Sequence, residues 1–149
     1  MIEIRQAQED DIPAVLEIER AVFSTPWTEG QLLSEQGADK FFAIAVRGGE
    51  LLGYCILRTF GEEAELYKIA VEAHSRRRGI ARLLMAAAMA YAAENSISKI
   101  YLEVRAGNVP AISLYKKYGF VAVGRRRGYY ENPVEDAVVM AHVAEVDFL

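Results

Sequence analysis

The fold is decided by one stretch, Glu65-Leu66-Tyr67-Lys68-Ile69-Ala70-Val71, followed by Glu72-Ala73-His74-Ser75, Arg76-Arg77-Arg78-Gly79-Ile80-Ala81 and an apolar run to Tyr91. Its first seven residues alternate in polarity and are rich in β-formers, which predicts a strand. After Gly79 the apolar residues recur at the spacing of a helix face, at Ile80, Leu83, Leu84, Ala87 and Tyr91. The stretch therefore predicts a strand, a turn and a helix, with arginines and a glycine at the junction.

The junction has the features of an anion site. A helix N-terminus carries unpaired N–H groups and a partial positive charge, so an added arginine cluster is unfavourable there unless an anion binds. Arg76, Arg77 and Arg78 form such a cluster. Gly79 permits a positive φ and lets a ligand approach the main chain. The alternative is a solvated turn that Gly79 merely shapes.

Composition excludes several classes of protein. The 149 residues predict one domain, 1–149, and 52% hydrophobic with 26% charged residues is typical of a globular chain. The net charge of −4 argues against nucleic acid as a partner. Cys55 is the single cysteine, which favours a reducing compartment. No signal-peptide layout or membrane-length apolar run is present, so we expect a cytoplasmic protein with no membrane partner.

The remaining sequence alternates helices and strands. Thr28, with Glu29 and Gln31, predicts the cap of a short helix that Gly37 ends. Other helices are expected at 12–23 and 109–118, and other strands at 2–7, 41–46, 51–60, 99–104, 120–124 and 137–143. Residues 125–130 are expected in a long loop. This order predicts an α/β fold with a mixed sheet.

Two motifs resemble the GCN5-related N-acetyltransferases. Arg76-x-x-Gly79-x-Ala81 after a strand is similar to that family's acetyl-coenzyme A pyrophosphate loop, although the family often has glycine where Ala81 stands. After the next strand comes Asn108-x-x-Ala111-x-x-Leu114-Tyr115-x-x-x-Gly119-Phe120. The resemblance implies the acyl-CoA N-acyltransferase (GNAT) fold, with a mostly antiparallel sheet flanked by helices, and acetyl-CoA as co-substrate.

Further stretches resemble one branch of this family, the bacterial enzymes that acetylate the N-terminal alanine of ribosomal small-subunit protein S18. They are Phe23-x-x-Pro26-Trp27, Leu102-Glu103-Val104-Arg105-Ala106, and Gly128-Tyr129-Tyr130 followed by Glu135-Asp136-Ala137. This resemblance implies that the partner is the N-terminus of a ribosomal protein, S18.

The family's site residues carry over to matching positions. The resemblance implies that the main chain of Ile69, Ala70 and Val71 pairs with the pantetheine arm and that N–H groups of Arg77, Arg78, Gly79, Ile80, Ala81 and Arg82 bind the pyrophosphate. Asn108 would hydrogen-bond the cofactor arm, or cap an ordinary turn. Glu103 interrupts an apolar strand, and the resemblance makes it the candidate general base. The alternative is an ordinary acidic side chain that points outward from the strand. Tyr115 is the candidate general acid. The alternative is an aromatic side chain that packs on the buried face of its helix.

The acceptor side is open to more than one interpretation. Phe23, Pro26 and Trp27, with Tyr129 and Tyr130, could form aromatic walls around a peptide end, or pack against the core. Cys55 lies in an apolar run and is expected to be buried, which favours direct attack over an acetyl-cysteine route. His74 and His142 lack partners at metal-ligand spacing, so no metal is expected. Competing hypotheses are acetylation of a small amine or a lysine, and a non-catalytic acyl-CoA-binding module.

Overall fold

A computed structural model describes residues 1–37, 39–76 and 78–144. Its strands are β1 (Glu3–Gln6), β2 (Phe41–Arg47), β3 (Glu50–Phe60), β4 (Glu63–Val71), β5 (Lys99–Arg105), β6 (Val121–Tyr130) and β7 (Glu135–Val143). Its α-helices are α1 (Ile12–Val22), α2 (Glu29–Leu33), α3 (Ile80–Glu94) and α4 (Val109–Lys117). None of these helices has the length and apolarity to cross a membrane.

The strands form a seven-stranded sheet in the order β1-β2-β3-β4-β5-β7-β6. Neighbours are antiparallel except β4 and β5, which are parallel. This arrangement confirms the predicted α/β fold with a mostly antiparallel sheet and flanking helices. A parallel pair needs a crossover connection, and α3 supplies it between β4 and β5.

Each face of the sheet has its own core. Leu84, Met85 and Tyr115 from α3 and α4 pack on one face, together with alternate residues of the strands such as Leu102. Residues of α1 and α2, including Val15 and Leu32, pack on the other. Because both faces are covered, the central strands β2 and β3 are apolar without a break over most of their length, with burial on successive residues.

The predicted turns have local causes in the structure. Thr28 accepts the N–H of Gln31 at 3.2 Å, and the Gln31 side chain accepts the Thr28 N–H at 2.8 Å, which confirms the expected helix cap. Gly79 adopts the left-handed conformation at φ 77° and begins α3, as its role at the junction requires. Phe23 is extended and ends α1 at Val22, one residue before the expected boundary.

The loop predicted for residues 125–130 is wrong. These residues belong to β6, which pairs with β7 from Val121↔Ala141 to Tyr130↔Glu135, with register shifts that absorb extra residues in β6. Strand β6 lies at the sheet edge, so its arginines and tyrosines can remain in a strand while their side chains reach water. The connection to β7 spans only residues 131–134.

Two smaller predictions also differ from the structure. Leu83 is 42% exposed, and the buried face of α3 is instead Ile80, Leu84, Met85, Ala88 and Ala92. The helix is apolar almost all round, so spacing alone cannot select the buried stripe. Helix α2 ends at Leu33, because Ser34 already serves as its C-terminal cap well before Gly37.

Candidate active site

The sheet divides between β4 and β5. These strands pair only from Glu63↔Lys99 to Leu66↔Leu102, although β4 continues to Val71 and β5 to Arg105. On its other side, β4 stays paired with β3 as far as Val71. The register between β3 and β4 shifts at Tyr67, an extra residue that bends the strand. The edge of β4 that faces β5 is therefore uncovered along the predicted cofactor positions Ile69, Ala70 and Val71.

The N-terminus of α3 follows this open edge. Among the described residues no side chain caps the helix, and its first turn contains no acidic residue. Arg78 and Arg82 are exposed beside it, and Arg76 Nε donates to the Val71 carbonyl at 3.3 Å. Uncapped N–H groups with nearby guanidinium groups fit a diphosphate.

The predicted pyrophosphate positions differ in what they expose. Ile80 is 1% exposed, so only its main chain faces a ligand, while Ala81 is partly exposed. A Cβ on Gly79 would meet no atom within 4 Å, so its positive φ, not space, requires glycine. Arg77 lies outside the described residues.

Two carboxylates meet on the face of the sheet that α1 and α2 cover. Leu102 and Val104 are core residues, so the alternating Glu103 points to the opposite face, and Glu65 points there from β4. Arg126 of β6 donates to Glu103 Oε2 at 3.0 Å and thereby orients the carboxylate. Burial and the nearby charge of Glu103 raise the pKa of Glu65.

A cleft of about 590 Å³ opens above these carboxylates. We call it the acceptor cleft; it is lined by Thr25, Trp27, Glu65, Leu66, Tyr67, Lys68, Glu103, Arg126, Tyr129 and Tyr130. A smaller cavity of about 270 Å³, lined in part by Phe60 and Tyr101, shares Glu65, Glu103 and Arg126 with it. The two cavities therefore adjoin at the Glu65 and Glu103 carboxylates.

One wall of the acceptor cleft rests on a buried ion pair. Glu19 of α1 is fully buried and accepts from Lys68 Nζ at 2.9 Å, from the Trp27 N–H at 2.8 Å and from the Tyr54 hydroxyl. The Lys68 ammonium lies 3.9 Å from the Phe23 ring centroid and 4.9 Å from that of Trp27. These contacts fix the loop between α1 and α2 by its main chain and by both of its aromatic rings.

Tyr115 lies on the other side of β5. It is 7% exposed, and its ring packs 6.0 Å from that of Phe120. Burial raises the pKa of Tyr115, so the phenol keeps its proton through the neutral range. Cys55 is fully buried, as the sequence predicts, and burial raises the pKa of its thiol too. Tyr115 and Glu103 therefore lie on opposite faces of the sheet.

Asn108 caps α4. Its Oδ1 accepts the Ala111 N–H at 3.3 Å, which leaves the side-chain amide N–H groups available to a ligand. Asn108 begins α4 directly after the turn that ends β5.

The structure brings together some of the predicted acceptor residues. Trp27, Tyr129 and Tyr130 line the acceptor cleft, and burial together with the charge of Glu103 raises the pKa of Tyr130 to about 12. Phe23 and Pro26 do not line it: Phe23 packs over Lys68, and Pro26 is exposed.

Several residues near the site escape the sequence analysis. Glu19, Glu65, Lys68, Arg105 and Arg126 each form a contact that joins distant parts of the chain or line the cleft. Lys68 carries the only local signal, since it is a charged residue within an otherwise apolar half of β4. The other four fall at positions where charged residues are ordinary on a helix or strand surface.

Comparison with known proteins identifies the class. The model of the Acetyltransferase (GNAT) family matches residues 9–120, three quarters of the chain. The chain belongs to the GNAT acetyltransferase family. It is an acetyl-CoA-dependent N-acetyltransferase, and its uncovered β4 edge and uncapped α3 suit that co-substrate.

More particular similarities point to one kind of family member. The chain is 32% identical over 140 residues to the [ribosomal protein bS18]-alanine N-acetyltransferase of Escherichia coli K12, covering 93% of this chain and 95% of the relative. The crystal structure of the ribosomal-protein-S18-alanine N-acetyltransferase from Escherichia coli superposes with a TM-score of 0.91 at 31% identity, over 99% of this chain and 97% of that one.

A second solved structure is also similar. Ard1 from Thermoplasma volcanium matches with a TM-score of 0.90 at 27% identity, over 97% of this chain and 99% of that chain. The likeness thus extends over almost the whole length of each protein.

Proposed function

We propose that this protein transfers the acetyl group of acetyl-CoA to the N-terminal α-amine of a ribosomal protein that begins with alanine, and that this protein is S18. The observation that carries the proposal is the acceptor cleft, whose floor holds Glu103 beside the gap between β4 and β5. Relatives that are named for S18-alanine acetylation match over more than nine tenths of this chain. A ribosomal acceptor places the reaction in the cytoplasm.

Glu103 is the proposed general base. An N-terminal amine has a pKa of about 7.7–8.0, so at neutral pH most of it is ammonium and must lose a proton before attack. The Glu103 carboxylate, oriented by Arg126, faces the cleft and can accept that proton directly or through water. The freed nitrogen then forms a bond to the thioester carbonyl carbon, and the C–S bond breaks.

Tyr115 is the proposed general acid. The departing thiolate needs a proton, and the Tyr115 phenol is protonated at neutral pH because burial raises its pKa. The Tyr115 phenol would give its proton to the sulfur as the C–S bond breaks, which leaves coenzyme A as the free thiol.

The cofactor residues are proposed by position. The uncovered main chain of Ile69 to Val71 would pair with the pantetheine arm, and main-chain N–H groups from Arg77 to Arg82 would hold the diphosphate. The Asn108 amide would reach the arm from the start of α4.

A peptide panel tests the function. The protein is incubated with acetyl-CoA and peptides beginning Ala, Ser, Gly or Met, with an N-terminally blocked peptide that contains lysine, and with spermidine. We expect one added acetyl group, by mass spectrometry, on the α-amine of the alanine peptides. Transfer only to lysine or to spermidine would overturn the proposal in favour of those acceptors.

Substitution of the two proposed catalytic groups tests the mechanism. Glu103→Gln and Tyr115→Phe should each lower kcat about 10²–10⁴-fold, the usual range for general acid–base groups. Coenzyme A binding, measured by calorimetry, should be retained. Glu94→Gln and Tyr91→Phe are matched controls on α3 that should leave kcat unchanged. Full turnover by both test variants would instead favour a non-catalytic acyl-CoA-binding module or other catalytic groups.

A further inference from the structure

Arg105 connects two loops that border the acceptor cleft. It ends β5, two residues beyond Glu103 on the same face of the strand. One guanidinium nitrogen, Nη2, donates to Ser24 Oγ at 3.0 Å and to the Glu131 carbonyl at 2.8 Å. Ser24 belongs to the loop between α1 and α2, and Glu131 to the loop between β6 and β7. A single side chain therefore holds both loops.

The other guanidinium nitrogen strengthens the hold on the second loop. Nη1 donates to the Pro133 carbonyl at 2.9 Å and to Glu135 Oε1 at 3.2 Å. Ser24 Oγ also donates to the Glu131 carbonyl at 3.4 Å, so the two loops are in direct contact beside Arg105. Two main-chain carbonyls of the β6–β7 loop, those of Glu131 and Pro133, thus accept hydrogen bonds from a residue of β5.

Arg105 also contacts a wall of the cleft itself. Its guanidinium carbon lies 4.6 Å from the centroid of the Tyr130 ring, a cation–π contact with a residue that lines the cleft. Tyr130 in turn packs edge-on against Tyr129, at 5.0 Å between ring centroids. Arg105 therefore positions Tyr130 directly and Tyr129 through its contact with Tyr130.

Glu135 extends the network towards the cofactor side. Its second carboxylate oxygen accepts the Gly107 N–H at 2.6 Å, in the turn that precedes Asn108. A Cβ on Gly107 would lie 2.7 Å from that oxygen, which is closer than real contacts allow. The turn that presents Asn108 is consequently fixed by the same carboxylate that Arg105 engages.

The chemistry of this position requires arginine. Four acceptors and an aromatic face surround one planar group, and a guanidinium presents five N–H donors in a fixed fork. A lysine ammonium has three donors and could serve only part of the set. Arg105 is only about a quarter exposed, so its unmet partners would not all be hydrated in its absence.

We propose that Arg105 is a positioning residue that sets the width of the acceptor cleft by tying the α1–α2 loop to the β6–β7 loop. The proposal rests on the proposed function to the extent that a peptide end occupies this cleft. In this role Arg105 acts through Tyr130 and through the loop that carries Trp27. It does not act on the reacting atoms.

Steady-state kinetics test the proposal. In Arg105→Gln the KM for an alanine peptide should rise about tenfold or more. Without Arg105 the two loops are no longer held together before the peptide binds, so part of the binding free energy is used to order them. The KM for acetyl-CoA and the kcat should change less than about threefold, because Glu135 keeps its hydrogen bond from the Gly107 N–H without Arg105. Arg105→Lys should be intermediate. Arg5→Gln is the matched control, since Arg5 forms a two-point ion pair with Asp11 at the distant β1 edge and should leave every constant unchanged. An unchanged peptide KM, or an equal rise in both KM values, would overturn the proposal.

Hydrogen exchange gives a readout that needs no acceptor. Without substrate, amides at 24–28 and at 131–135 should exchange faster in Arg105→Gln than in the wild-type chain or in Arg5→Gln. Unchanged exchange in either segment would overturn the tie between the loops. Failure of the proposed function would look different: the wild-type chain would acetylate no peptide, while the exchange difference persisted.

Discussion

The buried ion pair of Glu19 and Lys68 should be the main stabilising contact of the cleft wall that the α1–α2 loop forms. Glu19 is fully buried, and the Lys68 side chain is only 10% exposed. Removing one partner of a buried pair leaves an uncompensated charge, which costs about 3–5 kcal/mol. We therefore expect Lys68→Met to lower the free energy of unfolding substantially.

The contacts that remain in each variant bring the expected loss to the lower end of that range or below it. In Lys68→Met, Glu19 would keep the Trp27 N–H and the Tyr54 hydroxyl as donors, so the loss should be near the lower end, about 3 kcal/mol. In Glu19→Gln, the Lys68 ammonium would keep its contact with the Phe23 ring, and the loss should be about 2 kcal/mol. The double variant leaves no buried charge and should lose less than the sum, which gives a coupling of about 2 kcal/mol.

Urea unfolding of the four proteins measures this coupling. The midpoints should shift while the m-value stays constant, because the surface exposed on unfolding hardly changes. Arg5 and Asp11 provide a matched control, with an ion pair of 2.8 Å between partly exposed side chains. Their coupling should stay below about 1 kcal/mol. A Glu19–Lys68 coupling no larger than this would refute the reasoning from burial.

Three further predictions concern other parts of the fold. Gly53→Ala should cost about 1–3 kcal/mol in urea unfolding, because its Cβ would lie 2.6 Å from a β4 carbonyl, whereas Gly30→Ala meets nothing nearer than 3.9 Å; equal effects would contradict this. Arg5 lowers the pKa of Asp11, so stability from that pair should be present above the ordinary value of 3.8 and disappear as pH falls through the lower folded pKa; Asp11→Asn should abolish this dependence. The pKa of Glu65 is raised, so ionisation of this carboxyl group destabilises the folded protein as pH rises. Glu65→Gln should therefore be more stable than wild type at pH 7, by under about 1 kcal/mol, and no more stable below pH 4. Thermal scans that show the opposite trend with pH would contradict this prediction.

The central unit could be predicted from sequence because its signals are local. The alternation of β4, the left-handed Gly79 and the apolar start of α3 all act within a few residues of one another. The Thr28 cap is likewise a contact across three residues. These elements can be predicted because the contacts that form them join residues that are close together in the sequence.

The rest depends on contacts between distant residues. Lys68 meets Glu19 across 49 positions, and Arg105 meets Ser24 across 81, so no window of sequence contains both partners. The second half of β6, residues 125–130, is not predicted for a related reason, since its Arg and Tyr residues are typical of loops until β7 is placed beside them. The proposed roles of Glu103 and Tyr115 came from resemblance, because neither alternation nor helix spacing distinguishes them from ordinary surface and core residues.

The two edge strands of the sheet, β1 and β6, are protected from pairing with other molecules in different ways. Strand β1 has only four residues, too few to template a strand from another molecule, whereas β6 has ten and is exposed along nearly all of them. On β6 the consecutive Arg125, Arg126 and Arg127 and the irregular register act against pairing with a neighbouring chain. The positive charge of this exposed edge thus has a protective consequence, because it disfavours edge-to-edge pairing of molecules at high concentration.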